Sequence, residues 1–426
     1  MTKKLLFIFF IIFFIFLILF SNNFTLTYFK KFAGIIRNYV PESVYSTLLV
    51  IFDNNRNSKR ISNDYNVVFL PKTQFVNLKF KKLGLDFLEA AEGGYLIGKQ
   101  SLRKTFFLEI YNDKIFFLDT KGSFYYDELA SLKEEKINYK KIKTNLKANK
   151  EKENLFDKIL DFHVFKDKVF VSKIIKNNEC LYLQVDVAEI NLNELIFNNI
   201  FTSQKNNECI KNSIQAGKIE MFSQNELIIT TGGDILINKD ESDSKPQDEN
   251  SLFGKVLLIN IDNSDYKIFN KGHRNSLGLL VDGDFIFSTE NGPRGGDEIN
   301  LELKGKNYGW DIASYGKKYS VNESYLDHGA NRYSEPIFSF VPSIGIAEII
   351  KLANNFTPEW QDNYLISSLQ YKHLLRVKFS KNKDRVIFIE QIFIGERIRD
   401  LAYNIETKII VLALEDTGSL GILYKG

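Results

Sequence analysis

Six times along the chain a turn-forming residue leads into a short run of β-branched and aromatic residues. The runs are Asp113-Lys-Ile-Phe-Phe-Leu, Asp167-Lys-Val-Phe-Val-Ser, Asn225-Glu-Leu-Ile-Ile-Thr, Asp284-Phe-Ile-Phe-Ser, Asn363-Tyr-Leu-Ile-Ser and Thr407-Lys-Ile-Ile-Val-Leu. They start roughly 45 to 80 residues apart, an interval that suits one four-stranded sheet plus its loops. Sheets of that kind arranged radially hide most of their edges, which is how an all-β chain of this length avoids edge-to-edge pairing. The pattern predicts an all-β six-bladed propeller; a large β-sandwich or two unrelated β domains satisfy the same runs. With 37 Phe and 20 Tyr the aromatic content suits strands, and 7 Pro leave no room for a Pro-rich linker. A hydrophobic content of 44% excludes a disordered chain. Length alone suggests about three domains, but a repeat architecture counts as one. Lys plus Arg at 56 against Asp plus Glu at 53 give a net charge of +3, which makes no case for nucleic acid as a partner.

Four segments stand apart from the repeats. After Lys3 and Lys4 an apolar run extends from Leu5 to Phe20, followed by Ser21-Asn22-Asn23-Phe24 with no small-x-small cleavage site. Residues 1–23 are therefore expected to be an uncleaved signal anchor, with a cleaved signal peptide as the alternative. Either places the body outside the cytoplasm, held at the cell inner membrane with a periplasmic propeller, or free in the periplasm or secreted. Residues 24–104 show mixed signals and are expected to be an N-terminal extension, leaving 105–426 for the propeller. The lysine-rich stretch Lys133 to Lys152 and the acidic stretch Asn238 to Asn250 are expected to be solvated loops, since the latter lacks the alternation of an EF-hand. The two cysteines, Cys180 and Cys209, lie in duplicate Asn-Asn-Glu-Cys contexts and suit a disulfide or two buried thiols equally.

Chemistry concentrates between Gly272 and Tyr319. The stretch holds Gly272-His-Arg-Asn-Ser-Leu-Gly278, Glu290-Asn-Gly-Pro-Arg-Gly-Gly-Asp-Glu298, Lys306-Asn-Tyr-Gly-Trp310 and Ser314-Tyr-Gly-Lys-Lys-Tyr319. Gly292, Gly295 and Gly296 with Pro293 dictate an irregular loop whose carbonyls can point at one centre. Asp297 and Glu298 add hard anionic oxygens, a set that suits calcium. Arg274 beside Asn275 pairs a planar charged donor with an amide, able to grip carboxylates or quinone oxygens; an Arg capping a blade-connecting carbonyl is the competing account.

These motifs closely resemble the signature of the soluble pyrroloquinoline-quinone (PQQ) dependent sugar dehydrogenases, the glucose/sorbosone dehydrogenase family, and particularly its bacterial aldose sugar dehydrogenase branch. Ser251-Leu-Phe-Gly-Lys-Val-Leu-Leu-Ile259 resembles the family's preceding segment, and Gly395-Glu-Arg-Ile-Arg-Asp400 its C-terminal quinone-binding motif. Weaker similarity runs from about residue 105 to the end. The resemblance implies a six-bladed propeller in which PQQ lies over the central opening, calcium polarises the quinone, a His base takes the sugar C1 hydroxyl proton and hydride passes to the quinone. It implies that Arg274, Asn275, Tyr319, Arg397 and Arg399 bind the cofactor. By the same resemblance the carbonyls of Gly292 and Pro293 hold the cofactor calcium, and Glu298 with Tyr308 belongs to a second, structural calcium site.

The sequence departs from the family where the base belongs. The family's Asn-His-x-Gly-Gly-Arg corresponds here to Ser213-Ile-Gln-Ala-Gly-Lys218, which sets Ile214 at the His position. A family Gln is replaced near Lys152, and a quinone-contacting Lys falls at Gln370, with Lys372 two residues on as a substitute. His163, His273, His328 and His373 read as structural rather than as replacement bases. Two functions follow: a PQQ- and calcium-dependent dehydrogenase oxidising aldoses, or a degenerate, non-catalytic calcium-binding propeller of the same lineage that binds a sugar or protein ligand. Loss of a positioned base removes roughly 10²- to 10⁴-fold in rate, while quinone-binding arginines in two distant segments favour the enzyme.

Overall fold

Each of the six recurring runs is the second strand of a separate sheet. The computed structural model describes residues 68–70, 76–88, 91–96, 99–134, 136–146, 158–206, 208–211, 215–233, 245–318 and 324–426. Blade 1 comprises Phe106–Tyr111, Lys114–Asp119, Phe124–Glu128 and Lys140–Thr144, and blade 2 comprises Ile159–Phe165, Lys168–Asn177, Cys180–Glu189 and Asn198–Thr202. Blade 3 is Ala216–Met221, Glu226–Thr231, Lys255–Asn260 and Tyr266–Lys271, and blade 4 is Ser276–Asp282, Phe285–Glu290, Asp297–Leu301 and Phe338–Phe340. Blade 5 is Ile346–Lys351, Asn363–Ser368, His373–Phe379 and Val386–Phe393. Blade 6 takes Ile398–Asn404, Ile409–Leu414 and Ser419–Lys425 from the C-terminal part of the chain and Leu78–Gly84 from the N-terminal part.

The second strands were legible because they are covered on both faces. Asn363–Ser368 and Ile409–Leu414 are buried at every position, those of blades 1, 3 and 4 at all but the first, and that of blade 2 through its first half, Val169 to Ser172. Such strands read as continuous apolar runs rather than alternations. Several of the hairpins that feed them carry a left-handed residue at the turn, Asn112, Asp167, Asp362 and Lys408 among them, which is the geometry a tight two-residue hairpin needs. Six apolar clusters fill the six blade-to-blade interfaces, for example Phe107, Phe116 and Phe162 between blades 1 and 2, and Phe287, Tyr364 and Phe379 between blades 4 and 5. Much of the Phe content of the described residues is thus spent between blades.

The first strands line the axis, each next to those of its neighbours, and the ring they form is closed. Their third residues, Leu108, Asp161, Lys218, Gly278, Glu348 and Asp400, share one level. Lys218 Nζ lies 2.7 Å from Asp161 and 3.7 Å from Asp400 and pairs with Glu348, while Leu108 N donates to Asp400 at 2.9 Å. Gly278 completes the level by close approach, because a Cβ there would stand 2.5 Å from the Ala347 carbonyl oxygen. Equal register over six strands means that their N-terminal ends gather at one mouth of an axial channel and their C-terminal ends at the other.

Several expectations change. Leu78–Gly84 lies inside the segment 24–104 expected as an extension, yet it pairs with Ser419–Lys425 and closes the ring. Within the lysine-rich stretch, Lys140–Thr144 is the outer strand of blade 1 rather than loop. Cys180 and Cys209 form a disulfide with Cα atoms 4.9 Å apart. The expected anchor over residues 1–23 lies outside the described residues, as do Ile214, Tyr319 and Lys152; among the described residues no helix is long and apolar enough to cross a membrane.

Candidate functional site

The mouth formed by the N-terminal ends of the first strands collects positive charge. Arg397 precedes the first strand of blade 6 and Arg399 is its second residue; both point their Nε at one carboxylate, Glu415, at 3.1 and 2.7 Å. Arg103, just before blade 1, reaches the same group at 3.6 Å. Glu415 is fully buried. Burial by itself raises its pKa, but Arg399 and then Arg397 outweigh that and hold it down to about 2. Lys158, at the start of blade 2, is pulled down to about 8 by burial and then by Arg399. Lys372 joins through Asp416, which lies 2.8 Å from its Nζ and accepts from Arg397 N at 3.2 Å. Five cationic side chains therefore meet two carboxylates, an arrangement that favours a polyanionic ligand. Gln370, the residue aligned with the family's lysine, is exposed in the loop before Lys372.

Arg274 and Asn275 occupy the same end of the channel at blade 4. Arg274 stacks 5.3 Å from the Trp310 ring and donates from Nη1 to the Asn291 carbonyl at 2.7 Å. Its backbone N–H is held by Glu290 at 2.6 Å. Asn275 Oδ1 accepts from Ala216 N at 3.1 Å, which ties it to the first strand of blade 3 two residues after Ile214. The structure thus brings Arg274, Asn275, Arg397 and Arg399 to one mouth. Arg397 and Arg399 converge on Glu415, whereas Arg274 reaches that mouth from blade 4, two blades away.

The glycine-rich loop 291–296 lies at this end too. The Gly295 and Gly296 carbonyl oxygens would stand 2.4 and 2.2 Å from a Cβ at Gly292, so Gly292 sits in a cradle of oxygens that no side chain can enter. Asp297, expected to supply a metal oxygen, is instead spent on the backbone. Its carboxylate accepts from Gly292 N at 3.0 Å and from Ile344, Gly345 and Ile346 N–H groups at 2.7 to 3.0 Å. Glu298 differs. It is buried, its nearest side-chain neighbours are Asn300 at 3.5 Å and His328 at 3.8 Å, and burial followed by Glu290 pushes it well above the carboxylate range. Asn300 Oδ1 is a further buried acceptor with no hydrogen bond. Tyr308 lies close by, with its side chain held elsewhere. Its hydroxyl donates to the Leu301 carbonyl and accepts from Leu303 N at 3.0 Å, and its ring stacks on His273 at 4.7 Å, so its side chain is committed to structure. Among the described residues no group of three or more His, Cys, Asp and Glu is placed to hold a metal ion.

The four histidines sit in different surroundings. His273 is buried between Glu290 at 2.9 Å and Glu302 at 3.3 Å; burial opposes its charge, yet Glu302 and Glu290 raise it to about 10. His328 and His373 are buried and lowered by burial. His163 lines the far half of the channel. His273 and His373, the chain neighbours of Arg274 and Lys372, are buried, with their rings held by Glu290 and by the Tyr371 carbonyl.

A six-bladed ring with a cationic mouth and a glycine-rich oxygen loop defines a class, and the comparisons give it a name: residues 169–423 match the model of the glucose / sorbosone dehydrogenase family, and the chain belongs to that family. Among curated relatives it is 29% identical over 216 residues to aldose sugar dehydrogenase YliI of Escherichia coli (strain K12), covering 46% of this chain and 57% of the relative. A shorter match, 39% over 97 residues and 20% of each chain, is to quinoprotein glucose dehydrogenase B of Acinetobacter calcoaceticus. The chain spans about half the length of the first of the curated relatives it matches. The apo soluble aldose sugar dehydrogenase of Escherichia coli superposes with a TM-score of 0.63 at 18% identity, over 82% of this chain and 99% of that one. The PQQ-bound aldose sugar dehydrogenase of Streptomyces coelicolor gives 0.54 at 15%, over 83% and 99%. At these identities the structures support the fold alone.

Proposed function

We propose that the protein is a PQQ- and calcium-dependent dehydrogenase that oxidises an aldose at its C1 hydroxyl, outside the cytoplasm. The observation that carries this reading is the mouth itself, where Arg103, Arg397, Arg399 and Lys158 share the single buried anion Glu415. A tricarboxylate quinone relieves that excess of charge, and Arg397, Arg399 and Arg274 are the side chains that would hold it. The bound quinone supplies the hydride acceptor. The chain's own contribution is to orient that acceptor and the sugar over the axis, with Asn275 fixing the strand that follows position 214. By the family resemblance the carbonyls of Gly292 and Pro293 would hold calcium, and a second cation would be held at the buried Glu298 with Asn300 Oδ1 beside it. The non-catalytic alternative is not favoured, because a scaffold that only binds sugar has no use for three guanidinium groups gathered on one carboxylate.

Reconstitution with PQQ and calcium, followed by dye reduction with a panel of aldoses, is the test. We expect cofactor binding and aldose-dependent reduction, both lost in Arg399→Ala. Absence of binding and of turnover in the parent overturns the reading. Binding with slow turnover locates the deficit at position 214, where Ile214→His is expected to raise the rate by 10²-fold or more, on the order of what a positioned base supplies.

A further inference from the structure

Behind the cationic mouth the channel is closed by charge rather than by apolar side chains. At the level of the third strand residues, blade 2 contributes Asp161, blade 3 Lys218, blade 5 Glu348 and blade 6 Asp400, while Leu108 and Gly278 add none. Lys218 Nζ contacts all three carboxylates. Asp161 Oδ2 also accepts from Ile219 N at 3.0 Å and Asp400 Oδ2 from Leu108 N at 2.9 Å. One ammonium cannot neutralise three buried carboxylates, and holding a proton among them costs less than holding three full charges. Burial, opposed by Lys218 and reinforced by Asp400, pushes Asp161 up to about 7, and burial raises Glu348 well above its ordinary range.

A second titratable layer follows on the side away from the mouth. His163 Nδ1 is 2.9 Å from Glu109 and its Nε2 is 3.5 Å from Glu220. Burial opposes the charge of His163, but Glu220 and Glu109 raise it to about 9. Side-chain exposure grows along the column, from 2% at Asp161 through 13% at His163 to 26% at Glu220 and 27% at Glu109. Both layers line one cavity of about 500 Å³ walled by residues of all six first strands. Its lining includes Lys351 and Tyr403 at the strands' C-terminal ends and none of the mouth arginines. Lys351 is paired there with Asp282 at 2.7 Å, while on the mouth side of the waist stand Arg399, one residue before Asp400, and with it Arg103, Arg397, Lys158 and Glu415.

We propose that this axial column is a proton route: the Asp161, Glu348 and Asp400 cluster around Lys218 holds an exchangeable proton, and His163 with Glu109 and Glu220 passes it to the face opposite the cationic mouth. The dehydrogenase reading supplies the source of protons, the hydroxyl proton set free as the sugar is oxidised, and the route itself is a property of the chain. Each transfer is of a proton alone, with no bond to carbon involved: the His163 imidazolium gives a ring proton to Glu109 or Glu220, and the neutral ring then takes the proton held by the carboxylate cluster.

The test uses infrared pH-difference spectra of the full chain without cofactor. The carbonyl stretch of a protonated carboxylic acid is expected at neutral pH, diminished in Asp161→Asn and again in Glu348→Gln. Its exchange into D₂O is expected to slow at least tenfold in His163→Phe, with the melting curve still cooperative. A neutral-pH spectrum without that stretch overturns the proposal, and so does exchange in His163→Phe as fast as in the parent. If His163→Phe does not fold, the double variant Glu109→Gln with Glu220→Gln carries the same two outcomes. Because no cofactor is present, these results are separate from the dehydrogenase test, whose failure strikes only the sugar as the source of the proton.

Discussion

Glu415 is the residue on which the mouth depends. It is fully buried and is the common partner of Arg103, Arg397 and Arg399, so its removal leaves guanidinium groups facing one another. Its pKa lies below the ordinary value of 4.5, at about 2, so the stability it contributes is present above pH 4.5 and lost as pH falls toward 2. That difference corresponds to about 3 kcal/mol. Glu415→Gln is expected to lower the unfolding free energy by roughly that amount at pH 7 and to flatten the acid limb of the stability profile, measured by urea denaturation from pH 7 to pH 2. Added PQQ is expected to restore part of the loss, because a polyanion replaces the missing charge. In the sequence, Arg397 and Arg399 were recognisable by motif, but Glu415 was not, since it is one acid in the run Leu414-Glu-Asp-Thr417 and its importance comes from which side chains the ring folds onto it. Asp297 misled for the converse reason. An acid next to a glycine loop suggests a metal, whereas this one satisfies four backbone N–H groups.

At the scale of the strand, legibility followed burial. Second strands lie between apolar neighbours on both faces and announced themselves as continuous runs. The first strands did not, because their channel-facing positions carry Asp161, Lys218, Glu348 and Asp400, residues that a propensity reading assigns to surface. The strand Leu78–Gly84 was missed for a similar reason: Leu-Lys-Phe-Lys-Lys-Leu-Gly is the lysine-rich composition of an edge. Gly278 tests how tightly the first strands are drawn together. A Cβ there meets Thr289 Oγ1 at 2.4 Å and the Ala347 carbonyl at 2.5 Å, so Gly278→Ala is expected to destabilise by about 2 kcal/mol or more, read as a shifted denaturation midpoint. The disulfide ties the start of blade 2's third strand, Cys180, to Cys209 on the connection from blade 2 to blade 3, across a separation of 29 residues and just ahead of position 214. Reduction, or Cys180→Ser with Cys209→Ser, is expected to remove about 3 kcal/mol on chain-entropy grounds, and to weaken cofactor retention more than it weakens the fold.

For the whole molecule, the opposite ends of the channel differ in kind. One mouth is cationic, and the other opens from a cavity whose walls carry Glu109, Glu220 and His163. Deletion of residues up to Gly84 takes away the fourth strand of blade 6 and leaves Ser419–Lys425 as an open edge. Such a deletion variant is expected to lose cooperative melting and to associate at micromolar concentration, checked by calorimetry and sedimentation, whereas a deletion ending at residue 60 is expected to melt as one unit. The pairing of Leu78–Gly84 with Ser419–Lys425 also sets an order of events in synthesis. The first propeller strand of blade 6 to leave the ribosome waits for more than three hundred further residues before its partner exists. Until then blades 1 to 5 stand as an open arc with two raw edges. The propeller strand made last is thus the one that locks the ring.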